Sequence, residues 1–271
     1  MLAAPVACLV LVLVLGGCGT GDPGAADDGD ATGDPGAADG VTLPPAGARW
    51  DYQIGGPRDV PADVAVVERD RAAEPLAGVY NLCYVNAFQA QPGEEDTWAG
   101  GDLLLVDDAG EPVVDEDWDE ALLDTSTPER RAALVEVVRP WIEGCAADGF
   151  DAVELDNLDS FLRSDGLLTL EDAAAYAALL VDVAHGAGLA AAQKNLGEYD
   201  GTAVGFDLAV VEECGAYDEC GAYAASYGDR VLVVEYTDEG LATACAGWGD
   251  ELSVVRRDLD LAPDGERAWC D

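Results

Sequence analysis

The chain is predicted to be α/β, folding as a single (β/α)8 TIM-barrel domain behind a signal segment and a disordered linker. Three observations carry this expectation. Short apolar runs recur from residue 50 onward, helix-like amphipathic stretches lie between several of them, and polar residues collect at the ends of the runs. The runs are Trp50–Ile54, Gly78–Asn86, Ala121–Thr125, Asp151–Asn157, Leu189–Asn195, Asp207–Glu213, Val231–Thr237 and Leu252–Asp258. A doubly wound open sheet is the competing arrangement. Its nucleotide-binding versions are disfavoured, because no GxGxxG or Walker pattern follows the first run.

The helices between the runs have their own start and stop signals. Ser126-Thr127-Pro128-Glu129 reads as a capping box with proline in the first turn, opening a helix to about Ala147 that Gly149 closes. Thr169-Leu170-Glu171-Asp172 opens an Ala-rich helix ending at Gly186 or Gly188. Asp238 and Glu239 suit the N-terminus of a shorter helix after Thr237.

Residues 1–17 read as a signal peptide. Leu9 to Leu15 is an unbroken apolar run, too short to span a bilayer, and it leads into Gly16-Gly17-Cys18. That ending resembles the bacterial lipobox, although Met1 to Ala7 carries no Lys or Arg. The resemblance implies lipidation of Cys18 and a membrane anchor; a plain secretory signal is the alternative. Residues 18–47 hold the repeat Gly-Asp-Pro-Gly-Ala-Ala-Asp at 21–27 and 33–39 and no aromatic residue. Such a stretch buries too little apolar surface to offset its ordering entropy, so it is expected to be a tether. The folded domain then runs from 48 to 271 and is expected to be monomeric, outside the cell or on the outer face of its membrane.

With 55 acidic and 13 basic residues, the net charge is −42. That field disfavours nucleic acid and anionic polymers and favours cationic partners; it also resembles surfaces adapted to high salt. The chain has one lysine, Lys194, in Ala192-Gln193-Lys194-Asn195. Where arginine supplies every other cation, a solitary ammonium suggests a place that a planar guanidinium would not serve.

Beyond Cys8 in the signal segment and Cys18, six cysteines remain: Cys83, Cys145, Cys214, Cys220, Cys245 and Cys270. An even number in an exported chain reads as disulfides, with fifteen possible connectivities. The preferred pairs are the local ones, Cys214 with Cys220 and Cys245 with Cys270, leaving Cys83 with Cys145. No CxxC or Cys/His spacing suggests zinc, and neither a metal nor a cofactor is expected. His185, the only histidine, sits at a helix C-terminus where it can offset the dipole.

The most informative segment is Gly149-Phe150-Asp151-Ala152-Val153-Glu154-Leu155-Asp156-Asn157-Leu158-Asp159-Ser160. In a strand, Glu154 and Asp156 point the same way, and such crowding needs a cation, a hydrogen-bond network or a substrate to offset it. Other strand ends carry Tyr84 with Asn86, Asp124, Lys194 with Asn195, Glu212 with Glu213, and Glu235 with Tyr236. In a barrel these ends converge on one face, where active sites are built. Two carboxylates from different strands suit glycosidic bond cleavage, one as nucleophile and one as acid/base. Asp156 suits the ionised role beside Lys194, and Glu212, ending an apolar run, suits the proton donor. Glu213 is the alternative acid, although it points to the opposite strand face.

The ordered motifs Trp50-Asp51-Tyr52-Gln53, Tyr84-Val85-Asn86, Glu154-Leu155-Asp156-Asn157, Gln193-Lys194-Asn195, Val211-Glu212-Glu213-Cys214 and Val234-Glu235-Tyr236-Thr237 resemble glycoside hydrolase family 114. The resemblance covers the whole folded domain. It implies a TIM barrel, endo-α-1,4-polygalactosaminidase activity, and a catalytic pair falling on Asp156 and Glu212. It also implies a cationic amino-sugar polysaccharide as substrate. Asp51, Asp124, Glu154 and Glu235 are then candidate contacts for its amino groups, and Trp50, Tyr52, Tyr84 and Tyr236 for its sugar faces. Asn86, Asn157, Lys194 and Asn195 complete the expected binding set. A retaining mechanism is favoured. Two other readings are a lipid-anchored sugar-binding protein without turnover, and a hydrolase holding Mg²⁺ or Ca²⁺ on Glu154, Asp156 and Asp159.

Overall fold

Alternation along each strand decides which side chains build which core. On most of the barrel strands, even-numbered apolar residues form one buried cluster (Trp50, Tyr52, Val66, Leu82, Ala192, Val210 and Val234 among them). Odd-numbered residues such as Val85, Val153, Leu155, Ala191, Val211 and Val233 join a second cluster with the helices. Period-two alternation with both faces buried is what a parallel sheet wrapped in helices requires. The first cluster fills the barrel interior; the second lies between barrel and helices.

The computed structural model describes residues 40–94, 97–98 and 102–271. The signal at 1–17, Cys18 and the linker to residue 39 lie outside the described residues. Strands β1 (Arg49–Gln53), β2 (Val64–Asp70), β3 (Tyr80–Asn86), β7 (Ala152–Asp156), β8 (Ala190–Lys194), β9 (Leu208–Glu212), β10 (Val231–Glu235) and β11 (Ser253–Arg257) pair in parallel in that order. Strand β12 (Arg267–Trp269) adds antiparallel to β11. Side chains draw the two ends of the sheet together: Trp269 Nε1 donates to Trp50 O at 2.7 Å, and Arg267 and Arg257 both reach Asp51. The result is a nearly closed α/β barrel.

Helices α1 (Pro128–Asp148), α2 (Leu170–Gly186), α3 (Cys220–Tyr227) and α4 (Asp238–Trp248) pack outside. Thr127 caps α1, with proline in the first turn, and Gly149 ends it in the left-handed conformation. Thr169 and Asp172 form the capping box of α2, and Thr237 caps α4.

Two parts of the expected strand pattern differ. Val64–Asp70 is the second barrel strand, and loops rather than helices join it to β1 and β3. A strand without a flanking helix lacks the alternation that marks its neighbours. The run expected at Ala121–Thr125 instead supplies β6 (Glu120–Leu122) of a small antiparallel sheet with β4 (Gln89–Ala90) and β5 (Val114–Asp115). This sheet is inserted between β3 and α1. Before β1, Val41 and Leu43 pack against the inner cluster and Tyr80 donates to Thr42 O, so residues assigned to the linker already touch the barrel.

Three disulfides join Cys83 to Cys145, Cys214 to Cys220 and Cys245 to Cys270. These are the preferred pairs. They require an oxidising compartment, so the protein is exported. No helix among the described residues is long and apolar enough to cross a membrane. The Cys83–Cys145 bridge spans 62 residues and ties β3 to α1. In the chain-entropy account its removal costs about 4 kcal/mol, against about 2 kcal/mol for the short Cys214–Cys220 loop. Guanidinium unfolding of the two double serine variants under oxidising conditions measures the difference.

His185 Nε2 lies 2.8 Å from Asp207 Oδ2, and this bond raises the imidazole pKa above its ordinary value. The folded state therefore holds the proton more tightly than the unfolded chain. The stabilisation is complete below about pH 6.5 and fades as pH rises through the folded value. His185→Gln is expected to lower the unfolding midpoint at about pH 5.5 and to have little effect near pH 9, as denaturant titrations would show.

Candidate active site

The same alternation that fills the barrel with apolar side chains turns polar at its C-terminal end. Above the apolar layers, the next even-numbered positions are Glu68, Tyr84, Glu154, Asp156, Lys194, Glu212 and Tyr236. They come from six strands or strand ends, and all but the enclosed Glu68 and Glu154 line one cavity of about 420 Å3. Its wall includes Tyr52, Tyr84, Asp156, Lys194, Glu212 and Tyr236, with Asn157 and Asn195 at the strand ends.

Lys194 is the hub. Its Nζ lies 3.0 Å from Asp156 Oδ1, 3.2 Å from Glu212 Oε2 and 3.5 Å from Glu154 Oε1. Burial works against an ammonium here, but Asp156, Glu154 and Glu212 outweigh it and hold the lysine well above its usual pKa. Because both contacts share one nitrogen, those oxygens of Asp156 and Glu212 can be no further apart than about 6 Å.

Asp156 also accepts from Tyr84 OH at 2.5 Å and from the Asn157 backbone N–H at 2.8 Å. Burial raises its pKa, yet Lys194 and these donors more than compensate, and the carboxyl lies below its ordinary value. Just beyond Asp156 the chain leaves the strand through Asn157, at φ 66° in a left-handed conformation that asparagine tolerates. Its side chain donates to Asn86 Oδ1 and accepts from Arg163.

Glu212 accepts from Tyr236 OH, from Lys194, and from Asn195 Nδ2 at 3.2 Å. The backbone then turns sharply, with Glu213 at φ 59° and its N–H bonded to Val234 O. Glu213 thereby leaves the cavity, and the Cys214–Cys220 disulfide clamps the loop that follows.

Several expected binding residues lie elsewhere. Asp51 is fully buried at the barrel seam, paired with Arg257 and Arg267. Asp124 is outside the barrel, where it accepts from the Ser126 N–H and pairs with Arg130 at the entry to α1. Glu235 is odd-numbered, faces outward and accepts from the Gly215 N–H. Trp50 lies in the interior and donates to Val233 O. Asn86 stands behind the wall, donating to Glu120. Glu154 lies beneath the cavity, with no exposed surface.

Three residues outside the expected set complete the arrangement. Glu120, at the start of β6, and the largely exposed Trp118, in the turn between β5 and β6, line the cavity. Burial is the main cause that pushes the Glu120 carboxyl up to about 7, against the opposing Asn86 bond. Glu68, on the unexpected strand β2, is fully enclosed next to Glu154. Its signal was present: Val66-Val67-Glu68 ends like Val210-Val211-Glu212.

A barrel whose C-terminal end holds two carboxylates from different strands, close together in a polar cavity, has the parts of a glycosidase. The comparisons agree. Residues 31–271 match the model for glycoside-hydrolase family GH114, and the chain belongs to that family. It is a glycosidase. Among solved structures, Aspergillus fumigatus Ega3 in complex with galactosamine is similar, with 22% identity and a TM-score of 0.69 over 84% of this chain and 98% of that one. The glycoside hydrolase domain of PelA from Pseudomonas aeruginosa is also similar, with 16% identity and a TM-score of 0.57 over 80% of this chain and 96% of that one. Both share the barrel fold. No curated protein sequence matches.

Proposed function

We propose that this glycosidase cleaves α-1,4-linked, galactosamine-containing polysaccharide by a retaining mechanism, with Asp156 as nucleophile and Glu212 as acid/base. The observation that carries the reading is the single Lys194 ammonium shared by both carboxylates. The resulting bound of about 6 Å suits the ~5–5.5 Å spacing of a retaining pair better than the ~6.5–9.5 Å of an inverting pair. The galactosamine bound in Ega3 and the acidity of the cavity support a cationic amino sugar.

In the first step Asp156 attacks the anomeric carbon while Glu212 protonates the departing glycosidic oxygen. In the second, Glu212 takes a proton from water, which displaces Asp156 and regenerates the hydroxyl with retained configuration. Lys194, Tyr84 and the Asn157 N–H keep Asp156 ionised and aimed. Trp118 offers an exposed aromatic face for a pyranose ring. Glu120 and Asp159 take over the amine-binding role expected of more deeply buried residues.

Incubating protein that lacks residues 1–39 with galactosamine-rich polymer should release oligosaccharides detectable by mass spectrometry. NMR of the first products should show the α-anomer. Release of the β-anomer would sink the retaining mechanism, and binding without release would replace catalysis by recognition. Glu120→Gln should lower kcat/KM on de-acetylated polymer about fivefold near pH 7.5, where the substrate amine still carries charge, and much less near pH 5.5. The sign follows from its pKa of about 7: below it Glu120 is neutral like glutamine, and above it the charge is available. We also propose a lipid anchor on Cys18 and a monomeric enzyme. Cys18→Ser should move the protein from the detergent phase to the aqueous phase.

A further inference from the structure

The barrel holds more carboxyl groups beneath the cavity than the two-carboxylate chemistry needs. Glu68 and Glu154 are both 0% exposed. Among the described residues no hydrogen-bond donor faces either oxygen of Glu68, and the same holds for Oε2 of Glu154. The two carboxyl groups instead face each other. Two enclosed carboxylates in contact repel and leave acceptors unsatisfied; one proton between them removes both problems.

We propose that Glu68 is a positioning residue: it holds a proton against Glu154, and this carboxylic acid–carboxylate pair keeps the Lys194 ammonium committed to Asp156 and Glu212. The inference rests on Asp156 and Glu212 being the catalytic pair. The distances agree with it, since Lys194 stands closer to Asp156 and Glu212, at 3.0 and 3.2 Å, than to Glu154, at 3.5 Å. A Glu154 whose charge is shared with an O–H donor competes less for that ammonium.

The groups facing the pair come from six strands or strand ends, including Tyr84 of β3, which lies in register with Glu154 and donates to Asp156. Tyr52 of β1 donates to Glu154 at 3.4 Å, Asp156 lies two residues further along β7, and Lys194 reaches in from β8. Glu212 of β9 and Tyr236 beyond β10 act from the far side. Burial and Glu154 push Glu68 well above the ordinary carboxyl range, and burial pushes Glu154 up to about 7. Because the groups are coupled, a titration near neutrality belongs to the pair rather than to either residue.

Infrared difference spectroscopy of Glu68→Gln against wild type at about pH 8 tests the proton directly and needs no substrate. A protonated-carboxyl carbonyl band present in wild type and missing in the variant is the expected result. Absence of that band from wild type would overturn the proposal, whatever the enzyme cleaves. On substrate, Glu68→Leu removes the donor. It is expected to lower kcat about tenfold with KM within about twofold, and to move the acid limb up by about one pH unit. Glu68→Gln, which keeps an N–H donor to Glu154, should restore the position of that limb. If both variants lose activity equally with an unchanged pH profile, Glu68 is structural and the proposal fails. Should Glu68→Leu not fold, Glu154→Gln serves in its place: the band must persist there, and its loss would assign the proton to Glu154.

Discussion

Asp156→Asn is expected to lose at least about a thousandfold in kcat while unfolding close to the wild-type midpoint, because it removes the nucleophile and keeps the shape. Asparagine preserves an acceptor for Tyr84 but cannot form the glycosyl ester. Glu212→Gln should fall by a similar factor on substrates with poor leaving groups and by less on activated ones, where protonation matters less. Asp156→Gly supplies a sharper check: azide should restore turnover and yield a glycosyl azide of inverted configuration. Glu213→Gln should stay near wild type, since that side chain has left the cavity. Wild-type activity in Glu212→Gln with loss in Glu213→Gln would move the acid one residue along the chain.

Lys194→Met is expected to have the second-largest effect, and it acts through charge. With the ammonium gone, Glu154, Asp156 and Glu212 face one another without a cation. Breaking a buried ionic cluster from one side costs about 3–5 kcal/mol. The loss should be largest near neutral pH and should shrink in acid. The reason is the sign of the carboxyl shifts. In the native protein Asp156 lies below its ordinary pKa, so its contribution is present above about pH 4 and lost as pH falls through the folded value. Without Lys194 its folded pKa rises above the unfolded one, so acid relieves the repulsion. The acid limb of kcat/KM should move up by about 1–3 units, as expected when a carboxyl loses a neighbouring cation. Lys194→Arg should not rescue the profile. One ammonium nitrogen now touches three carboxylates, whereas a guanidinium spreads its donors over a rigid plane.

The most legible parts of the molecule were those set by local chemistry. The helix starts at Thr169 and Thr237 could be read directly, because each side chain satisfies its own helix end, whereas α1 is capped by Thr127 rather than by the Ser126 that opens the expected capping box. The pairing of Glu154 with Asp156 on one face followed from strand alternation. Lys194 stood out as the lone lysine and proved to be the centre of the site. Less legible was the phase of each strand relative to the barrel axis. Val66-Val67-Glu68, Val210-Val211-Glu212 and Val233-Val234-Glu235 look alike, yet the first two glutamates face inward and the third faces outward, leaving Tyr236 at the cavity. A one-residue offset reverses the role, and only the register with neighbouring strands settles it. Trp118 and Glu120 were hidden for another reason: they reach the cavity from the inserted β5–β6 segment rather than a barrel strand, so no barrel periodicity marks them.

The seam has a consequence for how the protein is made. The first barrel strand cannot be sealed by its sequence neighbours, because Asp51 and Trp50 find their partners at Arg257, Arg267 and Trp269, more than two hundred residues later. A chain emerging from its N-terminus would carry an open edge and a buried aspartate without its cations until β11 and β12 arrived. Oxidation of Cys245 with Cys270 must likewise wait for that segment. Completion of the barrel thus waits on its last strands, and every earlier stage of folding leaves the β1 edge open.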